Sequence, residues 1–429
     1  MKNRFPALTL MAVALALTTS AWAQYKETVL YNFTFGNDGG SVQSLIQAPN
    51  GDFYGTALGG PVTTACPFTC GVVFKLSKST GHWVETVIHS FKGGYDGNSP
   101  WGIVMDAQGN IYGNVTEGFG VGPGRVFKLS PKTGGGWGYQ VIYIFGTTNN
   151  DGLYPEGSPV LDSNGNLYGT TYNGGLIETG CPSGCGIVYE LSPTDSGFWT
   201  ETIVHDFIGG STDGALPTAG MTFDSAGNLF GVTGLGGSAG AGTVFELTPS
   251  GSGWTESLVH AFANYPADGA GPVAAVTIDA AGNIYGTTYS GGAFTNSGCF
   301  GACGAVYEIS PVSGGGWTEK LLHSFNYTTE GALSRTGVAL DSAGHLYGLT
   351  FTYPNTLAGA AYKLSGNSAG QWKITVLYVL GSASGDGGNS VTTPILDAAG
   401  DLYAGTEVFG AHQGGNVFKL SPPPTGSAK

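Results

Sequence analysis

Charge is what this chain has least of. Only 10% of its 429 residues are charged, and 15 cations stand against 29 anions, for a net charge of −14. An acidic chain without a basic patch is a poor partner for nucleic acid or an anionic membrane surface. Beyond the N-terminus there is no long apolar run, so no membrane span is predicted. No stretch sustains an apolar period of 3.6 residues, which excludes all but a trace of helix. H-E-x-x-H, G-x-x-x-x-G-K-S/T and EF-hand loops are missing, so zincin, phosphate-loop and EF-hand chemistry have no footing.

Glycine is plentiful, at 76 residues, beside 41% hydrophobic and 12% aromatic residues. That is not a disordered composition; it suits short strands and tight turns. The first residues read as an export signal. Lys2 and Arg4 precede the mostly apolar Pro6 to Thr19, and Ala21 and Ala23 stand at −3 and −1 before Gln24. Residues 1–23 are therefore predicted to be a signal peptide, and 24–429 a secreted, soluble, monomeric domain, extracellular or periplasmic.

One motif organises that domain. It appears as GDFYGT at Gly51, GNIYGN at Gly109, GNLYGT at Gly165, GNLFGV at Gly227, GNIYGT at Gly282, GHLYGL at Gly344 and GDLYAG at Gly400. Such a period marks a repeat architecture. Each unit has four strand-like runs. The first ends in an aspartate (Asp106, Asp162, Asp224, Asp279, Asp341, Asp397; Ala48 in unit one), the second is the motif, the third is VFKL-like, and the fourth is TETIVHDF-like. Four short strands repeated seven times predict an all-β, seven-bladed propeller of four-stranded antiparallel blades. Small residues four before the aspartate position (Ser44, Gly102, Ser158, Gly220, Ala275, Gly337, Thr393) place the first strand, A, at the crowded axis. The glycine after the motif aromatic is expected to let neighbouring sheets approach. A seventh fourth-strand motif, KETVLYNF, lies at Lys26–Phe33, whereas the last unit stops after its third strand. Blade 7 is thus predicted to combine 391–421 with 25–33, which hides a free edge.

The LYGTT…GG…G.VF.L pattern resembles the GloVer tandem repeat of bacterial exported proteins over essentially the whole mature chain. The resemblance implies a secreted or surface protein without an assigned activity, often one joined to a C-terminal anchor. No anchor is recognisable in SPPPTGSAK, and the resemblance carries no catalytic residue over.

The cysteines form three C-x-x-x-C pairs, Cys66/Cys70, Cys181/Cys185 and Cys299/Cys303. In an exported protein local pairs read as disulfides; a metal site would want histidines or further cysteines nearby. His89, His205, His260 and His323 share one repeat position with Tyr31, Tyr143 and Tyr378, which reads as a packing or hydrogen-bonding position on the outermost strand, D. The G-x-S-x-G matches at Ser238 and Ser368 lack the strand–turn–helix setting of a hydrolase elbow. The D-to-A loop of every unit carries an acidic residue followed by glycine: Asp38, Asp96, Asp151, Asp213, Asp268, Glu330 and Asp386. Two readings apply. In one the carboxylates cap their own turns; in the other they ring the channel mouth and bind a cationic ligand or calcium, the one candidate cofactor. No pair of carboxylates or nucleophile–base set departs from the repeat. The leading functional expectation is a non-catalytic extracellular binding protein for a polysaccharide or protein; the alternative is a carbohydrate-active lyase or hydrolase.

Overall fold

The four runs of each unit pair in sequence order, because each is followed by a turn that sends the chain straight back. In a computed structural model describing residues 25–424, apart from 67–68, 118–121, 179, 252 and 300, the result is a seven-bladed β-propeller. Blade 1 runs A (Val42–Gln47), B (Phe53–Ala57), C (Val72–Ser79) and D (His82–Ser90) from axis to rim. Blade 7 takes Ile395–Leu396, Leu402–Gly405 and Asn416–Ser421 from the C-terminal end and Lys26–Asn32 as its rim strand. Thr28 lies opposite Lys419 and Tyr31 opposite Val417, antiparallel, so the ring closes as the repeat count requires. The proposed signal peptide lies outside the described residues. One four-residue helix, Tyr327–Glu330, sits in a D–A loop, and no helix among the described residues is long and apolar enough to cross a membrane.

Small residues on strand A do what the axis demands. A Cβ on Gly102 would lie 2.2 Å from Ser158 Cα, and one on Gly220 would lie 2.4 Å from Ser158 O, so neighbouring A strands touch through bare backbone. The glycine after the motif aromatic has a different purpose from the one its sequence suggests. A Cβ on Gly169 would meet the Tyr189 ring of its own blade at 2.2 Å, and one on Gly55 the Phe74 ring at 2.4 Å. These are register partners across strands B and C, so the glycine seats an aromatic ring within the blade.

The apolar interior is divided into seven clusters, each shared by two adjacent blades. Trp137, Trp199 and Trp254, which open strand D, meet Tyr54, Tyr112 and Tyr168 of the preceding blade edge-on. Blades are therefore held to their neighbours by burial between them.

Strands C and D slip register once in every blade, for example between Val73 and Phe74 in blade 1 and between Val244 and Phe245 in blade 4. Without a bulge, residues four apart on a strand share a face. The extra residue reverses that. Glu85 therefore points back toward the preceding blade and His89 forward to the next, so one strand serves two junctions. All three cysteine pairs are disulfides, with Cα separations of 5.4, 5.1 and 4.9 Å.

Candidate functional site

Two sets of repeat positions carry the polar chemistry, and the first joins patterns that look separate in sequence. Six of the seven D–A loop acids hydrogen-bond the His or Tyr of the strand before them. His89 Nε2 lies 3.1 Å from Asp96, His260 Nε2 2.9 Å from Asp268 and His323 Nε2 2.7 Å from Glu330. Tyr31, Tyr143 and Tyr378 donate to Asp38, Asp151 and Asp386 at 3.1, 3.2 and 2.9 Å. His205 and Asp213 are 3.5 Å apart. Each acid also accepts a backbone N–H of its own loop, from Thr34, Lys92, Thr147, Ile208, Ala263, Asn326 and Ala383 in turn. The carboxylates do not converge on the channel mouth as the ring reading expects: none of the seven lines the axial cavity. Each is held by its own turn because the loop backbone and strand D present donors to it first.

The residue two places after the strand D Trp of the next blade (after Tyr25 in blade 7) completes five of these junctions with Glu27, Glu85, Glu201, Glu256 or Glu319, whose Oε1 atoms are buried without a hydrogen-bond partner among the described residues. Burial, then Asp38, pushes Glu85 up to about 7. Burial, then Asp268, does the same to Glu319. Burial, then Asp386, takes Glu27 to about 8. Asp268 moves the other way: burial opposes the shift, but bonds from His260 and backbone N–H groups hold its pKa below the usual range.

The second set lies five residues after each acid, at Gln43, Trp101, Glu156, Thr218, Val273, Arg335 and Val391. Together they line one axial cavity of about 190 Å³. Local geometry aims them there. Two residues earlier the chain turns left-handed in every blade, at Ser41, Ser99, Tyr154, Leu216, Gly271, Leu333 and Asn389, with φ between 54° and 60°. The N–H of each such residue donates across the blade junction: Ser99 to Cys70 O at 3.0 Å, Leu216 to Cys185 O at 2.7 Å and Leu333 to Cys303 O at 3.0 Å. Three of these acceptors are disulfide cysteines, so the bridged loops brace the segments that carry Trp101, Thr218 and Arg335. Below the ring, a second chamber of about 180 Å³ is walled by Ser44, Gly102, Ser158, Gly220, Ala275 and Thr393 among others.

Here the repeat does break, contrary to the sequence expectation. One acid, one cation, one indole, one amide, one hydroxyl and two valines occupy equivalent places. Glu156 is pushed up to about 7 by burial, with the charge of Arg335 working against the shift. Arg335 lies over the Phe351 ring at 5.0 Å, and Gln43 donates to Glu407 at 3.0 Å. Sequence reading missed the ring because it counted back from the strand A aspartate. Trp101 stands five before Asp106 and Gln43 five before Ala48, but the other five ring residues stand six before their aspartates, as Glu156 does before Asp162, because blades 1 and 2 are one residue shorter in strand A. Counted forward from the D–A acid, the spacing is constant. A wider cleft of about 640 Å³ beside Cys181 and Ser238 has no charged side chain in its wall.

Fold and repeat together define a class, a bacterial-type repeat propeller. The chain belongs to the Gloeobacter/Verrucomicrobia repeat family, whose model matches residues 16–181 and 175–302. No curated protein matches it in sequence. Among solved structures, it is similar to a catalytically inactive virginiamycin B lyase from Staphylococcus aureus crystallised with quinupristin, at 14% identity and TM-score 0.51, over 93% of this chain and 100% of that one. A gluconolactonase from Xanthomonas campestris aligns at 11% identity and TM-score 0.41, over 93% of this chain and 90% of that one. At these identities the likeness is one of fold.

Proposed function

We propose that the protein is a non-catalytic extracellular binding protein whose small-molecule ligand seats in the axial cavity. The observation that supports this is the ring itself: seven equivalent positions, aimed by identical backbone geometry, filled by dissimilar side chains. Structure alone needs no such diversity, whereas a concave site with a few converging polar groups is what orients a ligand. Arg335 suits a carboxylate or other planar anion, and Trp101 offers a flat apolar face to the same cavity. The three disulfides support an exported setting. Thermal melts against a panel of small organic and sugar acids test the reading. Some member of the panel should raise the melting temperature of wild type and fail to do so for Arg335→Ala. If no acid stabilises wild type, or if stabilisation survives the substitution, the axial reading is wrong.

One observation favours the second reading, a carbohydrate-active lyase or hydrolase. A carboxyl with its pKa near 7, as at Glu156, is matched to acid–base work at neutral pH. Release of products from a polysaccharide panel by wild type, and its loss in Glu156→Gln, would replace the binding reading with the enzymatic one.

A further inference from the structure

The junction between blades 3 and 4 brings together His205, Asp213 and Glu256, with one donor atom of each within 4.8 Å of the others. They come from strand D of blade 3, the loop after it, and strand D of blade 4. The His205 Nε2 atom is buried and finds no hydrogen-bond partner among the described residues, and the same is true of Glu256 Oε1. Asp213 is only 4% exposed and is fixed in place: its Oδ2 accepts Ile208 N–H at 2.8 Å and its Oδ1 accepts Gly214 N–H at 2.6 Å. The His205 ring is set edge-on against Phe207 at 4.7 Å.

The distances separate this junction from its sister. At the junction of blades 4 and 5, His260, Asp268 and Glu319 form the same trio, but His260 Nε2 is hydrogen-bonded to Asp268 at 2.9 Å. His205 Nε2 stands off at 3.5 Å from Asp213 Oδ1. That is long for a charge-assisted hydrogen bond. It matches the edge of a tetrahedron built on metal–ligand bonds of about 2.0–2.1 Å, whose donor atoms are roughly 3.3 Å apart.

We propose that His205, Asp213 and Glu256 bind a divalent first-row transition-metal ion, with zinc as the reference, and that the ion ties blade 3 to blade 4. An imidazole donor and three protein ligands suit such an ion; calcium wants six or more oxygens. The backbone bonds to Asp213 supply the outer support that metal ligands need. Two other junctions show how to remove the site with residues the fold already accepts there: Tyr143 replaces the histidine at one, and Ile374 replaces the glutamate at another.

Chelator-stripped full-length protein would be titrated with zinc by calorimetry and melted with and without zinc. Wild type should take up a zinc equivalent and melt higher with it. His205→Tyr and Glu256→Ile should each weaken that equivalent at least about tenfold, while their melts without zinc show a folded ring. His323→Tyr, at a junction that lacks the glutamate, should leave zinc binding unchanged. The proposal fails if wild type binds no zinc, if both His205→Tyr and Glu256→Ile keep wild-type affinity, or if calcium alone stabilises wild type as strongly as zinc.

Discussion

Two positions five residues apart on the same loop have opposite repeat behaviour. The first is acidic in all seven units and always bonded to the His or Tyr at the end of strand D, except that His205 and Asp213 stand slightly apart. The second is Gln, Trp, Glu, Thr, Val, Arg and Val in turn. Both are placed by the same turn, so backbone geometry cannot account for the contrast. A repeated residue marks what every blade needs, a polar clamp at its junction. A position free to vary under constant geometry marks what the molecule needs once. In a repeat protein, constancy points to structure and divergence to the site.

The largest test breaks the clamps where the chain closes on itself. Removing Tyr25 to Phe33 takes Tyr31 from Asp38 and Glu27 from the junction of Asp386, and uncovers the edge of Asn416–Ser421. Exposed strand edges recruit other chains. We expect aggregation and loss of a single cooperative melt, read by light scattering and calorimetry. A truncated protein that melts like the full-length one would show that closure rests elsewhere.

A subtler test sets the two positions against each other in one loop. Asp268→Asn removes the charge that His260 and the N–H groups of Ala263 and Gly269 engage, at a cost of about 1–3 kcal/mol. Val273→Thr, five residues on, copies the residue found at Thr218 and should stay within about 0.5 kcal/mol of wild type. Equal losses in denaturant melts would erase the distinction between clamp and ring.

Much of this was legible in the sequence. The motif spacing, the small residues of strand A and the mismatched chain ends specify the propeller and its closure, because each is a local pattern multiplied by repetition. The disulfides follow from the local C-x-x-x-C spacing. The clamp was half legible: the acids and the His/Tyr position were visible as two patterns, but only folding shows that they are partners. The glutamates were hidden by the strand D bulge. Glu85 and His89 are four apart, which assigns them to one face, and no residue type announces the slip that separates them. The ring was hidden for a related reason, a strand A one residue shorter in blades 1 and 2, which sets Gln43 and Trp101 out of step with the other five.

The smallest effect concerns protons at the clamps. Glu85, Glu201 and Glu319 sit at about 7 and Glu27 at about 8 when folded, against roughly 4.3 when unfolded. Between those values the folded chain holds more protons, so stability falls as pH rises. Their contribution is complete below the unfolded pKa and is lost as pH passes through about 7 to 8. Asp268 and Glu330, held below their usual range by their histidines and backbone N–H groups against the opposing effect of burial, act in the opposite sense and lose their contribution only in acid. Stability should therefore peak in mildly acidic solution and decline toward pH 8. Glu27→Gln with Glu319→Gln keeps a hydrogen-bonding side chain but removes the titration, so the decline should flatten, by roughly 1–2 °C per substitution at pH 8. Glu156 adds to the same slope from the axial ring and is common to both proteins, so the difference between their melts reports the clamps alone. A wild-type melting temperature that climbs from pH 5 to pH 8, or a double variant with an unchanged slope, would mean that these glutamates are ionised within the folded ring.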